Sequence, residues 1–389
     1  MDEEEYSSHR ITPLYEPIIK EDKPYQNDIT ISMRTALFHD FFSAIGGGEK
    51  TVVAIANAVS ADIITTDTSC LSKIGWTGPV KTIGSLINLP LWKQSTASLR
   101  FSQCNLSDEY DYFIYSGNWA HIAAKNHMNN IWYCHSPPRI LYDQFPRYYQ
   151  MMHPILKGVF ATWADFHRKY DTSSVHHLDT ILTNSMNVQS RIQRYYNRSS
   201  RVIYPPVDCK QFVCREYGNF WLSVNRLYSE KRIELQMEAF KNLPDEYLVI
   251  VGSYARNDYA SIYARNLIRK KPSNVTFLGE ISDEELYKLY AHCKGVICTA
   301  LDEDFGIVPL EAMASGKPVV AVNQGGYLET VQHGVTGILT ESSGAELALA
   351  IHEISKAPEE YHDRCIKRAR EFDLRIFMDK MRAAVYGDK

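Results

Sequence analysis

The stretch 302–316 reads D-E-D-F-G-I-V-P-L-E-A-M-A-S-G, and two of its carboxylates, Glu303 and Glu311, are eight positions apart. The pair Phe305-Gly306 is predicted to open a helix, with Glu303 in the loop before it and Glu311 a little over one turn inside it. Alternating strand and helix patterns surround the stretch, and open α/β sheets bind ligands at strand carboxyl ends, beside helix N-termini. Because an ionised carboxylate can accept two hydroxyl protons at once, acids in this place suit a hydroxyl-rich ligand.

The alternation of strand and helix patterns runs twice along the chain. Helical patterns separate the buried strands, which indicates parallel, doubly wound sheets. A chain of 389 residues also exceeds the size at which one hydrophobic core stops growing. The predicted fold class is therefore α/β, with two Rossmann-like, doubly wound domains that face each other across a cleft. The predicted strands are 35–41, 61–67, 112–115, 131–134 and 180–183 in the first domain, and 219–225, 247–252, 275–279, 295–299 and 317–322 in the second.

Composition and patterning divide the chain into four segments. Residues 1–32 are acidic and lack an apolar period, so they are predicted to form a disordered extension. The two domains are predicted to span 33–206 and 207–372, with a linker stiffened by the adjacent prolines 205 and 206. Residues 373–389 are predicted to form a C-terminal helix that can pack back on the N-terminal domain.

The charge distribution and the cysteine pattern indicate which kinds of partner the protein can bind and which cell compartment it occupies. The net charge is −4, but residues 33–213 carry more basic than acidic side chains. That excess either favours an anionic membrane surface or a phosphorylated lipid acceptor, or is ordinary scatter of surface charge, and both interpretations stay open. No basic cluster or nucleic-acid motif is present, so nucleic acid is not expected as a partner. The eight cysteines form no C-x-x-C pair, which indicates free thiols in a reducing cytosol.

The first residues and the hydropathy pattern bear on localisation. The acidic start argues against a signal peptide, and no apolar run approaches the roughly 18 residues that span a bilayer. We therefore expect a cytoplasmic protein, bound at most peripherally at the inner face of the cell membrane. The helical aromatics Phe160, Trp163 and Phe166 are expected in the core rather than in a membrane anchor.

Four groups of residues together resemble the signature of a known family. They are Ser223-Val-Asn-Arg226, Lys231, Glu303-Asp-Phe-Gly306 and Glu311-Ala-Met-Ala-Ser-Gly316. From residue 33 onward the chain is similar to the retaining GT-B glycosyltransferases of family 4. The motif His135-Ser-Pro-Pro-Arg139 is similar to one in bacterial and archaeal mannosyltransferases of the O-antigen kind. The resemblance implies a GT-B fold and the transfer of a sugar from a nucleotide donor.

The resemblance also implies roles for the two carboxylates and one histidine. Glu303 would face the donor sugar, and Glu311 would bind the ribose hydroxyls. If Gly306 lies near the helix start, the helix dipole would help to keep Glu311 ionised. His135 would contact the donor sugar, where a neutral imidazole can both donate and accept hydrogen bonds.

Backbone groups and the nucleobase contacts complete the implied donor site. The backbone N–H groups of Phe305, Gly306 and Ile307 would bind donor oxygens. Ile281 and Asp283 fall where the family contacts the base, although Asp283 also lies inside a predicted helix capping box that runs from residue 282 to residue 285.

Two cations and a glycine run are candidates for binding the donor diphosphate. Arg226 and Lys231 lie five positions apart across a strand-to-helix turn and could stabilise the departing phosphate. Gly47 and Gly48, after the first strand, would let backbone N–H groups approach a phosphate or a sugar closely. Arg139 could hold the acceptor or a phosphate.

The triplet Asp302-Glu303-Asp304 formally fits the D-x-D pattern of metal-dependent glycosyltransferases, which would indicate a metal site. We reject it, because D-x-D enzymes have a different fold and because Arg226 and Lys231 already supply positive charge. No metal and no other cofactor is expected.

The predicted function is that of a retaining mannosyltransferase that uses GDP-mannose and a glycan or lipid-linked acceptor. The alternatives are a transferase with a UDP-sugar donor, a nucleotide-sugar 2-epimerase of the same fold, and a non-catalytic sugar-nucleotide-binding subunit of a glycan assembly. A silent subunit would more often have lost Glu303, Arg226 or Lys231, which are all present. The sequence leaves the acceptor, the linkage, the donor base and the oligomeric state open.

Overall fold

The computed structural model describes residues 33–387, apart from 44, 88, 90 and 255–259. The extension predicted at 1–32 therefore lies outside the described residues. The sequence pattern also predicts a helix from about residue 258 to residue 270, and the start of that helix lies outside the described residues.

The first domain is built on a parallel sheet. Its strands are β1 (Thr35–His39), β2 (Asp62–Thr65), β3 (Val80–Thr82), β4 (Tyr112–Ser116), β5 (Asn130–Cys134), β6 (Thr180–Thr183) and β7 (Arg201–Val202). Its helices are α1 (Gly47–Val59), α2 (Trp92–Gln103), α3 (Phe145–Met151), α4 (Pro154–Val175) and α5 (Met186–Tyr196). The strand order is β3-β2-β1-β4-β5-β6-β7, so the direction of winding reverses between β1 and β4.

The second domain repeats this plan. Its strands are β8 (Phe220–Val224), β9 (Tyr247–Val251), β10 (Val275–Gly279), β11 (Gly295–Cys298), β12 (Val319–Val322) and β13 (Gly337–Thr340). Its helices are α6 (Ile233–Lys241), α7 (Ala260–Lys270), α8 (Asp283–His292), α9 (Ile307–Ala314), α10 (Tyr327–Thr330), α11 (Gly344–Ser355) and α12 (His362–Arg370). The order β10-β9-β8-β11-β12-β13 reverses between β8 and β11. The two parallel sheets confirm the predicted fold class.

Both sheets lie inside apolar cores. All five residues of β1 and all four residues of β11 and β12 are buried, as expected for parallel strands that are covered on both faces. The largest buried side chains include Trp132 of the first sheet and Trp221 of the second. This packing fixes the strand ends from which the candidate site residues project.

The chain crosses between the domains twice, at adjacent places. Val207 donates its N–H to Phe372 O at 2.9 Å, and Leu374 donates to Val207 O at 3.0 Å. A last helix, α13 (Leu374–Tyr386), then packs against α1, where Arg382 and Tyr386 donate to the carbonyls that end α1. The exact boundaries at 206 and 372 stay predictions.

The structure differs from the sequence reading between the motif 135–139 and β6. The sequence pattern after residue 139 predicts a long, aromatic-rich helical stretch that runs to about residue 170. The chain instead forms a turn-rich loop, then α3, and then α4, which begins at Pro154. Proline has no N–H to donate within a helix, and it is well placed at a first helical position. The break at Pro154 is therefore the physical reason for two helices. The aromatics of α4 that were expected in the core are divided: Phe160 is buried and Phe166 is exposed.

Candidate active site

Several candidate residues follow strands that flank the two reversal points. Gly47 begins α1 of the first domain, and Ile307 begins α9 of the second. A Cβ atom added to Gly47 would lie 3.0 Å from the Ile307 side chain. The N-termini of these two helices therefore meet, and both would direct their partial positive charge at a ligand between the domains. A Cβ at Gly48 would meet no atom within 4 Å, so only Gly47 is required by packing.

Glu303 and Lys231 form an ion pair at the centre of this region. Lys231 Nζ is 2.6 Å from Glu303 Oε2. Burial acts to raise the pKa of the Glu303 carboxyl, but the charge of Lys231, with weaker help from Arg139 and Arg226, holds that pKa below its ordinary value. Tyr327 approaches the same oxygen at 3.5 Å. The sequence reading gave Lys231 to the phosphate and left Glu303 free for hydroxyls, whereas the structure joins the two residues directly.

Arg226 has a different environment from Lys231. Its side chain is exposed, and its guanidinium lies 5.7 Å from the centroid of the Tyr228 ring. Its positive charge acts on the carboxyls of Glu49 and Glu303. Among the salt bridges between described residues none uses Arg226, so this cation is available to an anionic ligand.

Glu311 lies in the second turn of α9 and is bonded within its own domain. The Tyr290 hydroxyl donates to Glu311 Oε2 at 2.7 Å. Burial raises the pKa of the Glu311 carboxyl above its ordinary value, although the Tyr290 bond and the charge of Lys50 act in the opposite direction. We expected the dipole of α9 to help to keep this carboxylate ionised. Desolvation acts against that help, and the effect of the dipole stays a prediction.

The start of α9 presents backbone amides to the cleft. Gly306 has φ = 91°, a left-handed conformation that favours glycine, and a Cβ there would lie 2.8 Å from the Tyr327 ring. No hydrogen bond within the described part of the chain uses the N–H of Phe305, Gly306 or Ile307. The Phe305 side chain is buried and stacks on Tyr204 at a centroid distance of 5.4 Å. Only the backbone of Phe305 can therefore serve a ligand.

The acidic loop, residues 302–304, is held by the first domain through Arg191. Arg191 Nη2 donates to the carbonyl of Asp302 at 2.9 Å and to its carboxylate at 2.8 Å, while Nη1 bonds Asp304. The Arg191 side chain is only 5% exposed. Asp302 has φ = 47°, a left-handed conformation that few non-glycine residues adopt. The sequence reading missed Arg191.

Three more side chains of the first domain reach the acidic loop. Asn187 donates to Asp302 Oδ1 at 3.1 Å and to the carbonyl of Glu303 at 2.9 Å, and the Ser185 hydroxyl donates to the carbonyl of Asp304 at 2.6 Å. Arg139 donates to the carbonyl of Asp302 at 3.0 Å. Both aspartates of the D-x-D triplet are thus engaged by arginines, and the guanidinium of Arg139 is already bonded. Its acceptor role stays a prediction.

A second carboxylate of the second domain binds the start of α5. Glu329, in the short helix α10, accepts the N–H of Met186 at 2.7 Å and the N–H of Asn187 at 2.8 Å. The N-terminal amides of α5 thus hold Glu329, while side chains of the same helix hold the acidic loop. Helix α5 is the main element of the first domain that binds the second domain beside Glu303.

The sequence did contain a signal for Arg191. Val188, Ile192 and Tyr196 define the buried face of α5, and Arg191 lies on that face. A charged residue on an apolar helix face is buried only if it is paired. The identity of the partner loop, more than a hundred residues away, could not be read from the sequence.

His135 follows β5 and lies near the end of β4. Its Nε2 is 2.9 Å from the Ser116 hydroxyl. Burial lowers the pKa of His135 to about 4, so its imidazole is neutral at physiological pH. Neutral imidazole is the form that the sequence reading requires for contact with a sugar hydroxyl.

The two residues predicted to contact the base lie at the start of α8. Ser282 forms the predicted capping box with Glu285. Asp283 is exposed and pairs with Lys50 of α1, which belongs to the other domain, at 2.9 Å. Ile281 is half-buried beside it. Lys50, like Tyr290, was not identified from the sequence.

Most of the second domain matches the sequence model of a known protein family. Residues 210–372 match the family model described as "Glycosyl transferases group 1". This range contains Arg226, Lys231, Glu303 and Glu311. Over these residues the second domain is similar to the glycosyl transferases group 1 family.

Named mannosyltransferases are among the relatives that this chain is similar to. The alpha-1,3/1,6-mannosyltransferase ALG2 of Homo sapiens is 28% identical over 267 residues, which cover 60% of this chain and 61% of ALG2. The O-antigen chain mannosyltransferase RfbU of Salmonella typhimurium is 30% identical over 217 residues, which cover 54% of this chain and 60% of RfbU. The chain thus spans about three fifths of the length of these curated relatives.

Solved structures extend the likeness to both domains. Anabaena HepE in complex with UDP and glucose matches with a TM-score of 0.72 and 21% identity, over 92% of this chain and 100% of HepE. The glycosyltransferase WaaG matches with a TM-score of 0.66 and 14% identity, over 91% of this chain and 100% of WaaG. These matches confirm the GT-B fold. No helix in the described part of the chain is long and apolar enough to cross a membrane.

Proposed function

We propose that this protein is a retaining glycosyltransferase that moves mannose from GDP-mannose to a glycan or lipid-linked acceptor. The observation that carries the proposal is the meeting of two helix N-termini, at Gly47 and Ile307, beside the pair Lys231–Glu303. A nucleotide sugar presents a diphosphate next to a set of hydroxyl groups. Unbonded amides, two cations and two half-buried carboxylates are the groups that such a ligand needs.

The donor diphosphate would lie between the two helix N-termini. The exposed Arg226 would bind it through a planar fork, and Lys231 would bind it as a point charge. Lys231 is paired with Glu303 in the structure, and arrival of the diphosphate would let it contact both. The ribose would lie at Glu311 and the base near Ile281 and Asp283. Since these cations neutralise the diphosphate, the proposal includes no metal and no other cofactor.

Retention at the anomeric carbon would follow from attack on the same face as departure. The bond from the anomeric carbon to the phosphate oxygen breaks, the acceptor oxygen forms its bond on that face, and the acceptor hydroxyl proton passes to the leaving phosphate. Glu303 would respond to positive charge at the anomeric carbon, while Arg226 and Lys231 would stabilise negative charge on the phosphate. Neutral His135 would bind a sugar hydroxyl.

Mannose is supported by the named relatives, ALG2 and RfbU, which are both mannosyltransferases. Guanosine is part of the proposal that rests on the family resemblance. A UDP-sugar donor is the second candidate, and the observation in its favour is the fold of HepE, whose structure holds UDP and glucose. A silent binding subunit is the third. It would bind a nucleotide without turning over a donor.

A transfer assay separates these possibilities. The full chain would be incubated with GDP-mannose, UDP-glucose or UDP-N-acetylglucosamine and a panel of saccharide and lipid-linked acceptors, and the anomeric configuration of the product would be read by NMR. We expect GDP-mannose to be the preferred donor and its α configuration to be retained. Preference for a UDP-sugar would refute the mannose assignment, and inversion would refute the same-face mechanism.

The variant Arg226→Ala tests the role given to the leaving phosphate. If Arg226 stabilises the transition state, kcat falls more than donor affinity does. The control is Arg215→Ala, which changes an arginine outside the cleft in the same domain. Equal losses of kcat and donor affinity would count against transition-state stabilisation by Arg226.

The acceptor and the place of action belong to the proposal as well. The basic excess of the first domain supports an acceptor that is phosphorylated or lipid-linked, at the inner face of the cell membrane. The first domain would bind the acceptor, because the donor groups lie mainly on the second.

A further inference from the structure

The imidazole of His135 is bonded by a buried hydroxyl of the neighbouring strand. Ser116 is the last residue of β4, and its Oγ lies 2.9 Å from His135 Nε2. The Ser116 residue is completely buried. Within the described part of the chain, His135 is the partner of this hydroxyl. Because a buried hydroxyl needs a hydrogen-bond partner, we expect the bond between Ser116 and His135 to persist in the folded protein.

The partner of Nε2 matters because the imidazole is neutral. Burial lowers the pKa of His135 to about 4. Burial also lowers the pKa of His39, which pairs with Ser116 in the sheet, to about 3. A neutral imidazole donates from one ring nitrogen and accepts at the other. The hydrogen bond at Nε2 therefore decides whether Nδ1 offers a ligand a donor or an acceptor.

Packing alone does not fix the orientation of this ring. The ring of Tyr133 meets the imidazole edge-on, with the two centroids 5.2 Å apart. An imidazole that is turned over has almost the same shape, so apolar packing cannot distinguish its nitrogen atoms from its carbon atoms. A hydrogen bond can distinguish them. Ser116 thus supplies the contact that selects one orientation of His135.

The turn after Ser116 is fixed by a buried carboxylate. Asp40, directly after β1, is only 4% exposed. Its Oδ2 accepts the N–H of Asn118 at 2.6 Å, and its Oδ1 accepts the N–H groups of Trp119 at 2.9 Å and Ala120 at 2.8 Å. Burial raises the pKa of Asp40 to about 6, and the three N–H bonds act against that rise. The carboxylate is therefore ionised at neutral pH, the form that accepts all three bonds.

Gly117 lets the backbone pass close to Asp40. It has φ = 100°, in the left-handed region that favours glycine, and a Cβ there would lie 2.5 Å from the Asp40 carboxyl carbon. The indole of Trp132, in β5, donates to the carbonyl of Gly117 at 3.3 Å. The backbone is thus held from two sides directly after Ser116.

We propose that Ser116, held in place by the turn that Asp40 fixes, is a positioning residue that sets the orientation and the tautomer of His135. Ser116 bonds Nε2 and leaves Nδ1 for a hydroxyl of the donor sugar. The inference rests on the proposed function, in which His135 binds that hydroxyl. Ser116 itself is buried and does not touch the sugar. The alternative is a purely structural role, in which Ser116 and Asp40 stabilise the end of β4 without acting on His135.

NMR of the full chain, with its histidines labelled with ¹⁵N, tests the proposal without donor or acceptor. The ring signals of His135 are identified by their loss in His135→Gln. We expect one tautomer of His135 in the wild type and a mixture in Ser116→Ala. Ser116→Thr keeps the hydroxyl and should keep one tautomer. The matched control is Ser98→Ala, because Ser98 is a buried serine of the same domain that bonds the carbonyl of Gln94 within α2.

A double-mutant cycle tests the consequence for transfer. Ser116→Ala should lower kcat/KM for GDP-mannose by about tenfold, the effect of one hydrogen bond. That loss should vanish in the His135→Ala background, because Ser116 acts through the imidazole. Asp40→Asn should shift the tautomers of His135 in the same direction as Ser116→Ala, but less, since its amide cannot accept at both atoms.

Each other outcome overturns the proposal. One tautomer in Ser116→Ala does so, and so do losses of kcat/KM that multiply in the double variant. A lower Tm of Ser116→Ala with unchanged His135 signals would show the purely structural role. If Asp40→Asn does not fold, the Ser116 variants still decide the question. A tautomer that depends on Ser116 in a chain that transfers no sugar would refute the proposed function and leave the positioning of His135 standing.

Discussion

The two domains contact each other in different ways at the two ends of the cleft. At one end, which we call the loop end, Arg191, Asn187, Ser185 and Arg139 of the first domain bind the backbone and side chains of the acidic loop. At the other, which we call the base end, the pair Lys50–Asp283 joins the domains, and both of its side chains are partly exposed. Exposed ion pairs contribute little to stability, whereas breaking a buried one is strongly destabilising.

Because of this difference, we expect the loop end to position Glu303 and the base end to control access of the nucleotide. The loop end fixes the backbone on either side of Glu303, so that its carboxylate reaches Lys231 in a defined geometry. The base end can open at small energetic cost, which suits the entry and release of a nucleotide. We therefore expect substitutions at the loop end to impair catalysis and folding, and substitutions at the base end to alter nucleotide affinity and selectivity.

The largest effect is expected from Glu303→Gln. Loss of this carboxylate removes the charge that faces the anomeric carbon and leaves Lys231 without its partner. We expect the transfer rate to fall by about 10²–10³-fold. Initial rates at saturating donor would be measured, with Glu284→Gln on the exposed face of α8 as control. A rate within twofold of wild type would remove Glu303 from the mechanism.

The next effect is expected from Arg191→Ala, which breaks the bonds of a buried guanidinium to the acidic loop. The free energy of unfolding should fall by about 3 kcal/mol, because Asp302 and Asp304 lose a buried partner. Urea denaturation measures this loss.

Arg194→Ala is the matched control for that variant, since Arg194 is exposed on the same helix and should cost less than about 0.5 kcal/mol. In addition, Arg191→Lys should fold better than Arg191→Ala yet keep a reduced kcat, because an ammonium cannot reproduce the fork that bonds the two aspartates. Full kcat in Arg191→Lys would show that Arg191 only stabilises the fold.

A smaller effect is expected from Glu311→Gln, and it should depend on pH. Burial raises the pKa of this carboxyl on folding, so burial of its charge lowers the free energy of unfolding. This loss of stability is present in full above the pKa of the folded state, and it vanishes below the ordinary pKa of a glutamate. Glu311→Gln should therefore be more stable than wild type at neutral pH, and the difference should shrink as the pH falls. Thermal unfolding across pH measures this change.

The same variant should bind GDP more weakly. An amide cannot accept two hydroxyl protons as a carboxylate does, and we expect an affinity loss of about tenfold, or about 1.4 kcal/mol. Titration calorimetry with GDP measures it. Unchanged affinity would show that the ribose does not bind Glu311.

The smallest effect on stability is expected at the base end. Lys50→Met should change the free energy of unfolding by less than about 1 kcal/mol. Asp283→Asn should change the ratio of GDP to UDP affinity and leave stability nearly unchanged. A large stability loss in either variant would show that the base end is as tightly fixed as the loop end.

The sequence predicted the residues that lie on one motif better than the contacts between motifs. The period of apolar residues is a local property, so the strands around Glu303 and the capping box at Ser282 were predictable. The contact of Lys50 with Asp283 was not, because it depends on the relative position of two domains. The pairing of Lys231 with Glu303 was also missed. Both residues were recognised, but Lys231 was expected to bind the phosphate and Glu303 the donor sugar, so a direct contact between them was not predicted.

Desolvation was the other effect that the sequence could not supply. The start of α9 was expected to help to keep Glu311 ionised, and the sequence did not show that burial acts against this by raising the pKa of the carboxyl. Likewise, the backbone N–H of Phe305 was expected to bind a donor oxygen, but the sequence did not show that the Phe305 side chain is buried and stacks on Tyr204. The depth of a residue below the surface depends on elements that are distant in sequence.

The most direct test of the account is a thermal-shift measurement of the full chain with GDP, UDP and ADP, because a ligand that binds only the folded state raises Tm. The account predicts that GDP raises Tm more than UDP or ADP does, and that Glu311→Gln reduces the shift. Stabilisation by UDP but not by GDP would contradict the mannose assignment, and no shift with any nucleotide would contradict the donor site between the two domains.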